Sequence, residues 1–125
     1  MINVSKAVIE DSGKYLLIKR SSTSKFFSSK WDFPGGKVKE GESFEKSLIR
    51  EVHEETTMKV EIGELLFEGK IEENFSEINY KVFSIVNFKG EVILSLDHTD
   101  FKWLNKEEML KFGITPFVKL FKSRL

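Results

Sequence analysis

Cysteine is absent from the 125 residues, which removes disulfides, thiolate metal ligands and thiol nucleophiles together. Any metal must then be held by oxygen or nitrogen, and a reducing compartment is the natural setting. Proline occurs only as Pro34 and Pro116, and no segment is long enough to be a linker. No apolar run approaches the roughly 20 residues that cross a bilayer, and the N-terminal MINVSKAVIEDSGKYLLIKR lacks the continuous apolar stretch of a signal peptide. A cytoplasmic protein with no membrane partner is expected. A net charge of zero argues against counterion-driven binding to a nucleic acid polymer. The length suits one domain, residues 1–125, with one hydrophobic core.

The charges balance only in total. Lys14, Lys19, Arg20, Lys25, Lys30, Lys37 and Lys39 face only Asp32 in their stretch, whereas from Glu51 to Glu77 acidic residues outnumber Lys59 and Lys70. A basic lobe precedes an acidic one, an arrangement that suits a small anionic ligand.

Ile2 to Ile9 and Tyr15 to Lys19 are apolar and β-prone, and Asp11-Ser12-Gly13 between them signals a turn, so a hairpin is expected. Ser21 to Lys30 is a polar loop carrying Phe26 and Phe27, which either anchor it or contact a ligand. Trp31 to Phe33 is a short extended piece ended by Pro34, and Gly35-Gly36 allows a tight reversal. Ser43 is an N-cap for a helix to about Thr57 that buries Phe44, Leu48, Ile49 and Val52. Val60 to Ile71 and Ile78 to Phe88 read as strands, and Asp97 to Leu104 as a shorter one. Asn105 opens a helix to Lys111, and Pro116 opens a last helix burying Phe117, Leu120 and Phe121. Strands around one central helix with helices at the C-terminus imply an α+β sandwich with a mixed sheet.

The central helix carries Glu51, Glu54 and Glu55 directly after Arg50. Positions three and four apart on a helix are neighbours, roughly 5–6 Å between Cβ atoms. Two unit charges about 5.5 Å apart repel by about 3 kcal/mol at an effective dielectric of about 20, and a divalent cation turns that repulsion into binding. Magnesium prefers oxygen ligands and joins carboxylates to phosphates.

Gly36, five residues, Glu42, seven residues and then Arg50-Glu51-Val52-His53-Glu54-Glu55 resembles the Nudix box, G-x5-E-x7-R-E-U-x-E-E-x-G-U, where U is bulky and aliphatic. Met58 supplies the last U, and Thr57 stands where the pattern has glycine. The preceding WDFPGG and the Lys19-Arg20 pair are similar to MutT-like members. The resemblance implies an α/β/α sandwich with a mixed central β-sheet. It also implies metal-dependent hydrolysis of a phosphoanhydride in a nucleoside diphosphate linked to another moiety. Glu51, Glu54 and Glu55 become expected catalytic carboxylates and ligands of Mg2+, or alternatively Mn2+, joined by the Gly36 carbonyl. Arg50 and Glu42 become structural supports.

By the same resemblance the general base is either a box glutamate or an acidic residue on a later loop, Asp97 first and Asp100 second. Arg20 and Phe33 are similar to base-pocket positions and Lys37 to a phosphate contact, although Phe33 also reads as core and the other two as surface. His53 is the variable box position and reads as a surface residue, while His98 either tunes Asp97 or is solvated. With threonine at position 57 the helix is expected to end differently, at a cost in stability rather than activity.

MutT-like members that remove 8-oxo-dGTP carry an asparagine where this chain has Ile114, so that specificity is not expected. The downstream proline of ADP-ribose members and the tyrosine of dinucleoside polyphosphate members are also missing. A nucleoside triphosphate pyrophosphohydrolase remains by elimination. The alternatives are a catalytically silent Nudix module binding a nucleotide or protein partner, or a hydrolase of another such compound, for instance a nucleotide sugar. No apolar stripe marks an oligomer interface.

Overall fold

The structure is a computed structural model that describes residues 1–125. Runs such as Val4 to Ile9 and Leu16 to Ile18 are buried almost without a break, which in a strand requires both faces to be covered. The covers are helices. Alternate residues of strand β1 (Ile2–Val8) and its continuation send Val4 and Val8 to one side and Ala7 and Ile9 to the other. On the first side they join Phe33, Phe117, Val118 and Phe121, and on the second Leu48, Val52 and Met58. The result is the expected α/β/α sandwich, with α1 (Phe44–Thr56) on one face and α2 (Lys106–Met109) and α3 (Pro116–Lys122) on the other.

The strands form two four-stranded sheets rather than one. The mixed sheet places β1 between β5 (Gly35–Lys37), antiparallel, and β7 (Ser76–Lys89), parallel, with the long β6 (Lys59–Glu73) at the edge beside β7. In the other, β3 (Lys14–Arg20) has β8 (His98–Leu104) along one edge and β2 (Glu10–Asp11) and β4 (Trp31–Asp32) along the other. The expected Ile2–Lys19 hairpin is therefore corrected. Glu10–Asp11 turn back onto Lys14–Tyr15 and the Leu16 N–H donates to the Ile9 carbonyl, while β1 itself pairs with β5 and with residues from Ile78 onward. A local turn signal cannot reveal that a more distant strand offers the better edge.

Within α1, Ser43 caps as expected, its side chain accepting from the Lys46 N–H at 3.0 Å. Leu48 and Val52 are fully buried, together worth about 3–6 kcal/mol, but Ile49 is 45% exposed because it lies a third of a turn off the stripe. In α3 the inward positions are Phe117, Val118 and Phe121, with Leu120 turned outward. Thr57 ends α1 in the left-handed conformation (φ 64°) that glycine would favour, its N–H donating to the His53 carbonyl. Its hydroxyl donates to the Glu91 carbonyl at 2.9 Å, so the helix end keeps its shape without the glycine.

Candidate active site

Two glycines let the carboxylates of α1 approach the backbone. A side chain on Gly35 (φ 142°) would fall on the Ser5 carbonyl of β1, and a Cβ on Gly36 would lie 2.6 Å from the Glu51 carboxyl group. Glycine at both positions therefore brings β5 flush against β1 and opens a recess that the Glu51 carboxylate occupies. The Gly35 N–H donates to Glu55 Oε1 at 2.8 Å.

Arg50 organises the rest of the acidic face. Its Nε and Nη2 each donate to one oxygen of Glu42 at 2.8 Å, a two-pronged pairing that only a planar guanidinium makes. Its Nη1 reaches Glu51 at 3.0 Å and Glu54 at 3.1 Å, and Nη2 reaches the Lys37 carbonyl at 3.2 Å. Hydrogen bonds from Arg50, then from the Lys39 N–H, hold the Glu42 carboxyl down at about 2, and the carboxylates in turn raise Arg50. The three box glutamates do not converge on a point. Glu51 and Glu55 face a cleft, whereas the Glu54 side chain is 53% exposed, outside the cleft lining and tied to Arg50. No three acidic or histidine side chains form a ready-made cage. The donor set is nonetheless all oxygen, the recess at Gly36 admits a carboxylate to the backbone, and these residues fit a hard divalent cation.

The cleft, about 330 Å³, is lined by Glu51 and Glu55 of α1, by Gly35, Gly36 and Lys37 of β5, and by Arg20, Asp97, His98 and the Ser21–Lys25 loop. This is where the basic lobe of the sequence meets the acidic one. Burial pushes the Glu55 carboxyl up to about 8, against the pull of Lys6 and the Gly35 N–H. Across from it His98 Nε2 stands 3.8 Å from Glu55 Oε2. Burial, then Lys6 and Arg20, bring the His98 imidazole down to about 4, so it faces Glu55 as a neutral ring near pH 7.

Of the residues expected from sequence, Arg20, Gly36, Lys37, Glu51, Glu55 and Asp97 come together around the cleft. Phe33 does not: it is 1% exposed, its ring edge-on to Phe121, and belongs to the core. Asp100 lies exposed on β8 paired opposite Lys19, its side chain accepting from the Phe101 N–H, away from the cleft lining. His53 is exposed and lies outside the cleft lining. His98, expected to tune Asp97 or to be solvated, is buried, with its Nε2 against Glu55.

The sequence reading missed the buried pair beneath the cleft. Lys6 Nζ, 3% exposed, donates to Asp32 Oδ2 at 2.7 Å and to the Gly35 carbonyl at 3.4 Å. Asp32 Oδ1 accepts from Thr115 Oγ1 and the Phe33 N–H, both at 2.8 Å. The available signal was a lysine at an inward position of an otherwise buried strand. Removing one partner of such a pair costs about 3–5 kcal/mol because the other is left charged in the interior.

A family model for the NUDIX domain matches residues 1–124. The chain is 32% identical over 116 residues to the CTP pyrophosphohydrolase of Escherichia coli K12, covering 93% of this chain and 84% of that protein. It is 26% identical over 120 residues to the nucleoside triphosphatase NudI of Escherichia coli, covering 86% and 84%. The crystal structure of a MutT protein from Methanosarcina mazei Go1 superposes with a TM-score of 0.89 at 30% identity, over 98% of this chain and 91% of that one. The chain belongs to the Nudix family. It is a hydrolase of phosphorus-containing anhydrides.

Proposed function

We propose that the chain is a nucleoside triphosphate pyrophosphohydrolase that works with Mg2+, or alternatively Mn2+, as a single domain. The observation that carries this is Glu51 and Glu55 in one cleft with Arg20, Lys25 and Lys37, and Glu42 and Glu54 tied to the same helix face through Arg50. The activities for which the two similar Escherichia coli proteins are named support the same substrate class. In this reading Glu51, Glu54 and Glu55, with the Gly36 carbonyl, hold the metal. When bound, the metal screens the phosphate charge and lowers the pKa of an attacking water. Arg50 keeps Glu51 and Glu54 oriented and Glu42 keeps Arg50 oriented, while Arg20 and Lys37 take phosphate oxygens across the cleft. Asp97, the one exposed late-loop carboxylate in the cleft wall, is assigned to receive the proton of the attacking water. His98 stays neutral and holds the Glu55 side of the cleft.

The test is magnesium-dependent release of pyrophosphate from a nucleoside triphosphate panel, repeated with Glu51→Gln and Glu54→Gln. Loss of turnover by at least about 100-fold in both, in folded protein, is expected of groups that stabilise transition-state charge. Turnover unchanged in either variant contradicts that residue's role.

A further inference from the structure

Phe26 lies within the polar Ser21–Lys30 loop and is only 7% exposed. Its carbonyl accepts from Arg20 Nε at 2.8 Å, and Lys25 Nζ and Lys37 Nζ stand over its ring, 5.2 and 5.7 Å from the ring centre. Arg20, Lys25 and Lys37 are the arginine and lysines of the cleft lining. One residue thus touches all three. We propose that Phe26 is a positioning residue that holds these cations ready for the phosphate chain of the substrate.

The argument starts from what the two lysines lack. Glu51, Glu55 and Asp97 line the same cleft, yet Lys25 and Lys37 make no ion pair and their ammonium groups donate no hydrogen bond. A carboxylate partner would occupy an ammonium and have to be displaced before a phosphate oxygen could bind. The face of an aromatic ring attracts a cation within about 6 Å of its centre and leaves the three N–H donors open. The contact can therefore persist when phosphate arrives on the other side of the ammonium. A lysine side chain loses much rotamer freedom when a ligand fixes it, and a chain already resting on a ring loses less.

The loop is built to keep that ring in place. The Ser24 and Ser29 N–H groups both donate to the Ser21 carbonyl, at 3.1 and 3.3 Å, and the Arg20 N–H donates to the Lys30 carbonyl at 2.9 Å. Asn74, at the turn between β6 and β7, donates from its side chain to the Lys25 carbonyl. Phe27 and Ser29 hold left-handed backbones (φ 52° and 59°), and the Phe27 ring rests edge-on against Phe117. Such conformations persist where the surroundings over-determine them. Phe26 also packs in the hydrophobic core, so a plain truncation would remove packing and ring face together. Fluorine on the ring separates the two, because it weakens the electrostatic attraction for a cation while nearly keeping the shape.

This inference rests on the triphosphate pyrophosphohydrolase reading, and the experiment separates the two. The full chain is made with phenylalanine carrying no, one, two or three ring fluorines at position 26. For each form, kcat and KM are measured on a nucleoside triphosphate with Mg2+, and the affinity for inorganic tripolyphosphate, which has the phosphate chain and no base, is measured by calorimetry. KM and the tripolyphosphate Kd should rise together with each fluorine, reaching about threefold to tenfold with three, while kcat changes less than about twofold and the melting temperature stays put. Phe26→Leu, which keeps apolar bulk without a ring, should match the trifluorinated form in KM. Values that do not move across the series overturn the positioning role and leave the hydrolase reading standing. A penalty on the nucleotide with none on tripolyphosphate also overturns it, by assigning the ring to another part of the substrate. No turnover of any triphosphate overturns the hydrolase reading, and the tripolyphosphate affinities then decide the role of Phe26 alone.

Discussion

Gly36 sets the site through the atom it lacks. Its absent Cβ would stand 2.6 Å from the Glu51 carboxyl group, so Gly36→Ala must displace either the carboxylate or strand β5. The expected outcome is a folded protein with turnover reduced by at least about 100-fold, checked by circular dichroism and initial rates, since even small misplacement of a catalytic group is costly. Full activity would mean that Glu51 need not sit against the backbone. Glu42 makes a second prediction. Its folded value of about 2 lies below the ordinary 4.5, so the folded protein binds that proton less readily than the unfolded chain. Its contribution is present above pH 4.5 and lost as pH falls from 4.5 toward 2. Thermal melts across that window should show a shallower acid loss in Glu42→Gln than in wild type, and identical slopes would contradict the Arg50 pairing. At this scale the sequence was legible where chemistry repeats at fixed spacing: Glu42, Arg50, Glu51, Glu54 and Glu55 all interact or face the cleft as expected. It was not legible for Lys6, Asp32 and His98, whose burial depends on which distant segments cover them.

Elements were legible when their signals were local. The α1 start at Ser43, the Asn105 capping box that opens α2 and the proline that opens α3 all lie where their residues indicate. Strand partners were not, because the register of β1 on β7 joins Ile2 to Ile78 and no turn encodes it. The end of α1 is intermediate. Thr57 takes the left-handed conformation at a cost of about 1–2 kcal/mol, and its hydroxyl bond to Glu91 returns about 0.5–1.5 kcal/mol. The two nearly offset, with strain the larger. Thr57→Gly is therefore expected to raise the melting temperature slightly and leave turnover unchanged. A clear loss of thermal stability would show that the bond to Glu91 outweighs the strain.

For the whole molecule, the fold brings a basic loop and strand end against an acidic helix, with a buried lysine–aspartate pair beneath them. A few of the charges that cancel over the chain, Arg20, Lys25 and Lys37 with Glu51, Glu55 and Asp97, are thereby gathered around one cleft, which in the proposed reading takes a nucleotide together with a divalent cation. Phosphorus NMR of the products formed from a nucleoside triphosphate with Mg2+ tests this most directly. The account predicts nucleoside monophosphate and pyrophosphate in equal amounts, formed only when Mg2+ or Mn2+ is present. Nucleotide binding without any cleavage under either metal would contradict it.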